Sequence, residues 1–117
     1  NEIVENNLKP ALPPLELAEE VPYAETATLQ VGEKNLKIYF NEGDTLYEVM
    51  DRMRFKNQLS FSGRDFPVLG FFVTEIEDLK EGDGKFLFFY INGTQAGLGI
   101  SNYKLRAGDW IDWKLEN

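Results

Sequence analysis

The feature that most constrains this chain is an uninterrupted apolar run that ends in a tight-turn dipeptide. Residues 86–91 read Phe-Leu-Phe-Phe-Tyr-Ile, and Asn92 and Gly93 follow directly. A short apolar run between turns is typical of a central strand that is buried on both faces. Asn-Gly favours a type I′ hairpin turn, because both residues tolerate a positive φ. We therefore expect the chain to reverse here, with Gln95 and Ala96 beginning the return strand.

Two alternating runs predict another hairpin earlier in the chain. Apolar residues occupy every second position in residues 26–31, and the alternation resumes after the turn residues 32–35 at Leu36, Ile38 and Phe40. A period of two is that of a strand with one buried face. Both runs therefore turn one face toward a common core, and this pattern fixes their register.

A helix is predicted to begin after Thr45. Thr45 and Glu48 have the spacing of a capping box, in which each side chain accepts a hydrogen bond from the other residue's backbone amide. The apolar residues that follow share one face at helical spacing: Leu46, Val49, Met50 and Met53. We expect the helix to end near Asn57.

The middle of the chain is less regular. We expect an irregular loop over residues 59–69, where aromatic residues stand among serine, glycine and proline. A short strand over residues 70–76 and an acidic turn over residues 77–84 should follow. The acids in and beside this turn could hold Ca²⁺, but their spacing fits no dedicated calcium loop, so a solvated turn is favoured: Glu75, Glu77, Asp78, Glu81 and Asp83.

The last strand carries both tryptophans. Trp113 shares the parity of Ile111 and Leu115 and is predicted to face the core. Trp110 lies three positions earlier and points to the opposite face, so it is the better candidate for exposure, with partial cover by residues 1–25 or by another strand as the alternative.

These elements follow the order hairpin, helix, strand, strand pair and closing strand. One helix on a small mixed sheet is a two-layer arrangement that a chain of 117 residues can fill. The predicted fold class is α+β, β-grasp-like, with the helix packed on one face of the sheet. Residues 26–117 form the predicted domain. Residues 1–25, rich in proline and glutamate, are predicted to be a tether, with a leucine strap across the domain as the alternative.

The composition excludes several classes of function. The chain has no cysteine and no histidine, which removes thiolate and imidazole chemistry, disulfides and the usual zinc sites. A net charge of −8 without a basic stripe disfavours nucleic acid and anionic lipid as partners. No apolar run reaches the length of a transmembrane helix. We predict no catalytic residue, no metal site and no enzyme activity.

Five segments carry a resemblance to a known family. Residues 84–93, 99–105 and 108–113 resemble the DUF4430 family, which is similar to the C-terminal domain of transcobalamin and intrinsic factor. Residues 45–50 and 70–76 are similar to the family's helix start and middle strand. The resemblance covers the predicted domain and leaves the tether outside.

The resemblance implies a β-grasp fold of the soluble-ligand-binding kind and no catalysis. It also implies a bacterial protein that is secreted, or a lipoprotein held at the cell surface. Asn1 in place of Met suggests a processed chain without its targeting segment. In the cobalamin carriers, the related domain covers one face of the corrin ring, and a separate helical domain holds the other. Leu87 stands where family members often have Trp, which removes a flat stacking surface.

The resemblance also implies a ligand-binding segment, residues 97–103. The implied contact residues are Gly97, Leu98, Gly99, Ile100 and Tyr103. The predicted function is therefore a non-catalytic surface or secreted module that binds a soluble ligand or a protein partner, with no cofactor. The alternative is a corrinoid-binding accessory domain that takes cobalamin together with a second domain or subunit.

Overall fold

The computed structural model of the protein describes residues 23–117. Within that range lie one α-helix, α1 (Leu46–Phe55), one 3₁₀ turn (Ile100–Asn102) and the following strands: β1 (Glu25–Val31), β2 (Lys34–Phe40), β3 (Phe61–Phe66), β4 (Gly70–Ile76), β5 (Leu79–Lys80), β6 (Phe86–Ile91), β7 (Thr94–Gln95) and β8 (Trp110–Glu116). Residues 1–22 of the predicted tether lie outside the described residues. Strand β1 begins at Glu25, the last residue of that prediction.

The main sheet has five strands in the order β2-β1-β8-β6-β7. Its central pair, β1 and β8, is parallel, and the other pairs are antiparallel. The predicted first hairpin is confirmed, with Val31 opposite Lys34 across a two-residue turn. Trp113 is buried and Trp110 is 44% exposed, as their parity predicted. The α+β class with one helix and a mixed sheet is thus present.

Helix α1 begins where its capping box predicts. The Glu48 amide donates to Thr45 Oγ1 at 3.1 Å, and the Thr45 amide donates to Glu48 Oε1 at 2.8 Å. These two bonds satisfy backbone donors that the first helical turn leaves unpaired. The predicted apolar face of the helix contributes Leu46, Val49 and Met50 to the buried core, and Met53 is partly buried against it.

The prediction of an irregular loop over residues 59–69 was wrong. Residues Phe61–Phe66 form β3, which pairs with β4 and then β5 in a second, antiparallel sheet of three strands. The ladder is interrupted between Ser62 and Gly63, and a Cβ at Gly63 would collide with the carbonyl oxygen of Phe72. Gly63, which suggested a loop in the sequence, is therefore needed because the bulged strand leaves no room for a side chain at this position. The predicted acidic turn, residues 77–84, also contains β5.

Strand β6 is confirmed, but it is not buried on both faces. Leu87 and Phe89 are buried, whereas Phe86 is 53% exposed. Its outer neighbour β7 is only two residues long, and the alternating burial along β6 shows that one face of the strand remains open. Between the two strands, Asn92 and Gly93 have φ values of 51° and 91°, as the predicted turn requires.

Three hydrogen bonds join the start of β4 and the turn before it to the segment around the 3₁₀ turn. The Gly99 amide donates to the Leu69 carbonyl at 2.9 Å, and the Phe71 amide donates to Ser101 Oγ at 3.0 Å. Asn102 Nδ2 donates to the Val68 carbonyl at 2.9 Å. At Gly99 the two backbones touch, because a Cβ there would lie 2.6 Å from the amide nitrogen of Phe71.

We expect Gly99→Ala to destabilise the protein by about 1–3 kcal/mol, because the added methyl group meets backbone atoms that cannot rotate away. Urea unfolding measures this loss. Gly97→Ala is the matched control: no atom lies within 4 Å of its added Cβ, and the change should stay within about 0.5 kcal/mol. Equal stability of the two variants would contradict a close contact at Gly99.

Candidate ligand-binding site

A half-open apolar cavity of about 310 Å³ lies where the main sheet meets the second sheet. No charged residue lines it, and Gln95 is the one lining residue with a polar side-chain amide. Its walls come from strands β4, β6, β7 and β8 and from the chain after β7, and they include Phe71, Phe72, Leu87, Phe88, Leu98 and Trp113. Such a lining suits an uncharged apolar group.

Aromatic contacts hold the walls of the cavity. The rings of Phe89 and Trp113 have centroids 5.0 Å apart at an angle of 40°. Phe71 packs on Tyr47 of α1 at 5.0 Å and on Phe61 of β3 at 6.2 Å. Phe71, Phe89 and Trp113 are thus each packed against a ring from another strand or from the helix, which fixes this part of the cavity wall.

The structure divides the five predicted contact residues. Gly97, Leu98 and Ile100 line the cavity, although Ile100 is itself fully buried. Gly99 lies against the backbone of Phe71. Tyr103 lies outside the cavity lining, beside the turn that precedes β8. The contact role of these residues stays a prediction, but the geometry gives Gly97 and Leu98 a different position from Tyr103.

The sequence prediction missed the aromatic residues of the cavity wall, which are five of its twelve lining residues. Phe71 and Phe72 are consecutive on β4, so their side chains point to opposite faces of that strand. Two adjacent phenylalanines in a strand therefore indicate that one of the two rings lies on the face of the sheet that does not form its core. The pair Phe88 and Phe89 on β6 gives the same indication.

Tyr103 belongs to a hydrogen-bond network around a buried carboxylate. Asp109 is 3% exposed, and it accepts from the Tyr103 hydroxyl at 2.6 Å, the Arg106 amide at 2.9 Å and Asn92 Nδ2 at 2.9 Å. Burial, followed by the hydrogen bond to Asp109, raises the pKa of Tyr103 to about 12. The hydroxyl is therefore already engaged within the fold.

The acidic turn is engaged in structural contacts. Glu77 forms an ion pair with Lys34 at 2.9 Å and accepts the Ser60 amide at 2.8 Å. The hydrogen bond from Lys34 is the main reason that the pKa of Glu77 lies below its usual range. Glu81 accepts the Leu87 amide at 2.8 Å. In residues 23–117, no three acidic side chains gather in a group that could hold a metal ion.

We expect Tyr103→Phe to lower the free energy of unfolding by about 1–3 kcal/mol, because a buried carboxylate loses one of its donors. Since the folded pKa of Tyr103 lies above the unfolded value near 10, its contribution is complete below about pH 10 and is lost as pH rises toward 12. Urea unfolding measured from about pH 10 to about pH 12 should show this loss of unfolding free energy in the parent protein and not in Tyr103→Phe.

The control for this prediction is Tyr39→Phe. The ring of Tyr39 is 52% exposed, and its hydroxyl makes no hydrogen bond within the described chain, so stability should be unchanged. If Tyr103→Phe proved as stable as the parent while ligand binding fell, the hydroxyl would be a ligand contact instead.

Comparison with known proteins shows where this architecture recurs. Haptocorrin in complex with Cbi superposes with a TM-score of 0.64 at 16% sequence identity, over 80% of this chain and 25% of the haptocorrin chain. A putative metal binding protein from Ruminococcus gnavus superposes with a TM-score of 0.54 at 16% identity, over 79% of this chain and 94% of that one. These likenesses show a shared fold. This chain thus spans a quarter of haptocorrin.

Sequence comparison gives the family. No curated protein sequence matches significantly. Within residues 23–117, α1 is too short and too polar to cross a membrane. Residues 43–117, which include α1, the second sheet and the cavity, match the domain of unknown function DUF4430. The chain therefore belongs to the DUF4430 family.

Proposed function

We propose that this protein is a non-catalytic module that binds a soluble ligand or an apolar group of a protein partner in the cavity between its two sheets. The cavity itself is the observation that carries the proposal, because it is apolar and open on one side. The similarity to haptocorrin, whose structure contains Cbi, supports a binding role. We further propose that the module acts outside the cell, secreted or held at the surface.

The lining indicates the chemistry of the ligand. A cavity of about 310 Å³ is near the lower end of the sizes found for small-molecule sites, about 300–1,000 Å³. Transfer of a charged group into a site without a counter-charge is costly. The net charge of −8 adds to this cost for anions. A small neutral ring or a short aliphatic chain fits these conditions best.

A non-catalytic role is consistent with the chemistry of the lining. The cavity is lined by apolar side chains, the amide of Gln95 and the indole of Trp113, whose buried Nε1 has no hydrogen-bond partner among the described residues. No acid, base or hydroxyl nucleophile is among them. The groups with shifted pKa values, Glu77, Tyr90 and Tyr103, are held by Lys34, Glu116 and Asp109, respectively. The hydrogen bonds to Lys34 and Glu116 are the main causes of the pKa shifts of Glu77 and Tyr90, and burial followed by the bond to Asp109 causes that of Tyr103, so none of the shifts needs a catalytic task.

We also propose that the fold is a β-grasp variant. The hairpin β1-β2, the helix across the sheet and the parallel central pair β1-β8 support this assignment. The second sheet lies between α1 and β6 in sequence, as an elaboration of that plan. Its position supplies one wall of the cavity.

The corrinoid-binding accessory domain is the second candidate, because haptocorrin shares the fold. A corrin ring is too large for a recess of this size and would cover its mouth. Leu87 lines the cavity where family members often have Trp, so the stacking surface is smaller here. Corrinoid binding would therefore need a second domain or subunit on the other face of the ring.

We expect Ala96→Phe to weaken binding of a small neutral ring compound, such as cyclohexanol, at least about tenfold, because the benzyl group fills the cavity. The binding constant follows from the fluorescence of Trp113 in a Trp110→Phe background, with ligand-observed NMR as a second measurement. Ala107→Phe is the control, since Ala107 is exposed and lies outside the cavity. Equal weakening by both variants, or no binding of any neutral ring or alkane probe, would contradict the proposal.

Calorimetric titration with cobinamide and cobalamin separates the two candidates. The leading proposal predicts no heat of binding for the full chain alone at high micromolar corrinoid. Saturable heat that Ala96→Phe leaves unchanged would favour the corrinoid alternative, because a ring lying across the mouth does not need the interior of the cavity. The expected result depends on the size of the recess, which a corrin cannot enter.

A further inference from the structure

We propose that the outer edge of β2, together with the neighbouring face of α1, binds an extended acidic segment of a protein partner by adding it to the main sheet as a further strand. This surface, which we call the β2 edge groove, shares no lining residue with the apolar cavity. It is therefore a second site, and the proposal does not depend on the first.

The backbone of β2 offers unpaired groups for such a strand. Val31 and Lys34 flank a two-residue turn and bond to each other, so alternate residues of β2 direct their amides away from β1. The Tyr39 carbonyl confirms this direction, because it accepts from Arg52 Nη2 of α1 at 3.0 Å. By the same alternation, Asn35 and Lys37 present both backbone groups outward. An incoming strand forms its hydrogen bonds with the backbone groups of every second residue of an edge strand, and the outward groups of β2 have this spacing.

Among the sheet edges formed by residues 23–117, β2 is the long regular one. Strands β5 and β7 have two residues each, and β3 is interrupted by a bulge. Short or bulged edges resist pairing with another chain. Strand β2 has seven residues, and no described strand pairs with its outer side.

The charge of the groove indicates the partner. The groove has a volume of about 580 Å³, and its lining includes Lys37, Arg52 and Lys56 but no acidic residue. The charge of the groove is thus positive, although the chain as a whole has 20 acidic and 12 basic residues. Neither Lys37 nor Lys56 forms an ion pair with another described residue. A strand carrying Glu or Asp would complement these cations.

Apolar and aromatic groups complete the groove. Leu36 of β2 and Met53 of α1 line the groove together with the rings of Tyr23 and Tyr39. Tyr23 stacks on the Arg52 guanidinium at 4.4 Å. An extended peptide that alternates acidic and apolar residues can direct its apolar side chains toward this floor while its acids meet the lysines.

The same charges argue against two other occupants. A second copy of this chain, paired edge to edge, would bring the lysines of two β2 strands together, and like charges at a strand pair are destabilising. Nucleic acid is repelled by the net charge of −8 and makes no use of outward strand amides. The remaining alternative is that the edge lysines only prevent aggregation.

The test uses the full chain and a blocked peptide, Glu-Val-Glu-Leu-Glu-Val-Glu, titrated by calorimetry at low salt. We expect saturable binding, and at least about a tenfold loss of affinity for Lys37→Glu with Lys56→Glu. Lys85→Glu with Lys104→Glu is the matched control, since it changes the net charge equally at exposed lysines outside the groove. Equal loss in both double variants would overturn the proposal, as would absence of binding.

Backbone pairing is tested separately from charge. Hydrogen exchange should show added protection of the Asn35 and Lys37 amides when the peptide is bound, and a peptide with Pro in place of each Val should not bind. Unchanged exchange, or equal binding of the proline peptide, would overturn strand addition. A third variant combines Glu16→Gln, Glu19→Gln and Glu20→Gln. A tenfold rise in its peptide affinity would mean that the chain's own acidic residues compete for the groove. That result would overturn the proposal that an external partner is the primary occupant.

Discussion

One buried carboxylate organises the end of the main sheet at which β8 begins. Asp109 receives donors from the chain after β6, from the turn before β8 and from Tyr103, and its carbonyl accepts the Thr28 amide of β1 at 2.8 Å. A charge in this position is tolerated only when its oxygens are satisfied. The parallel pair at the centre of the sheet and the tight turn at Asn92 therefore depend on the same group.

The parts of the fold that were predictable from the sequence are those with local signals. The capping box at Thr45, the alternation of β1 and β2 and the Asn92-Gly93 turn each depend on residues a few positions apart. Strand β3 forms through its pairing with β4 and contains a bulge at Gly63. The alternation of its side chains between the two faces is therefore interrupted within the strand, and the sequence pattern does not show it. The exposure of Phe86 depends on how much of each sheet face is covered, which is a property of the assembled sheets.

The candidate site was predictable only in part, for the same reason. Residues 97–103 were identified by resemblance as one contact segment, yet Gly99 packs on Phe71, and Tyr103 bonds to Asp109. Leu98 reaches the cavity beside rings from β4, β6 and β8, which are separated from it by up to 27 positions. Apolar alternation shows which face of a strand is buried, but it does not show where two sheets leave a space between them.

The cavity lies between two sheets. Hydrogen bonds tie the start of β4 and the turn before it to the segment after β7, and the ion pair between Lys34 and Glu77 joins β2 to the turn after β4. An occupant would contact β4 of one sheet and β6 of the other, so its binding free energy would be shared by both. Any ligand that binds only the folded chain adds about 2.7 kcal/mol to stability at a concentration one hundred times its Kd. Occupancy would thus make the unfolding of the two sheets more cooperative, and the second sheet would open less often on its own.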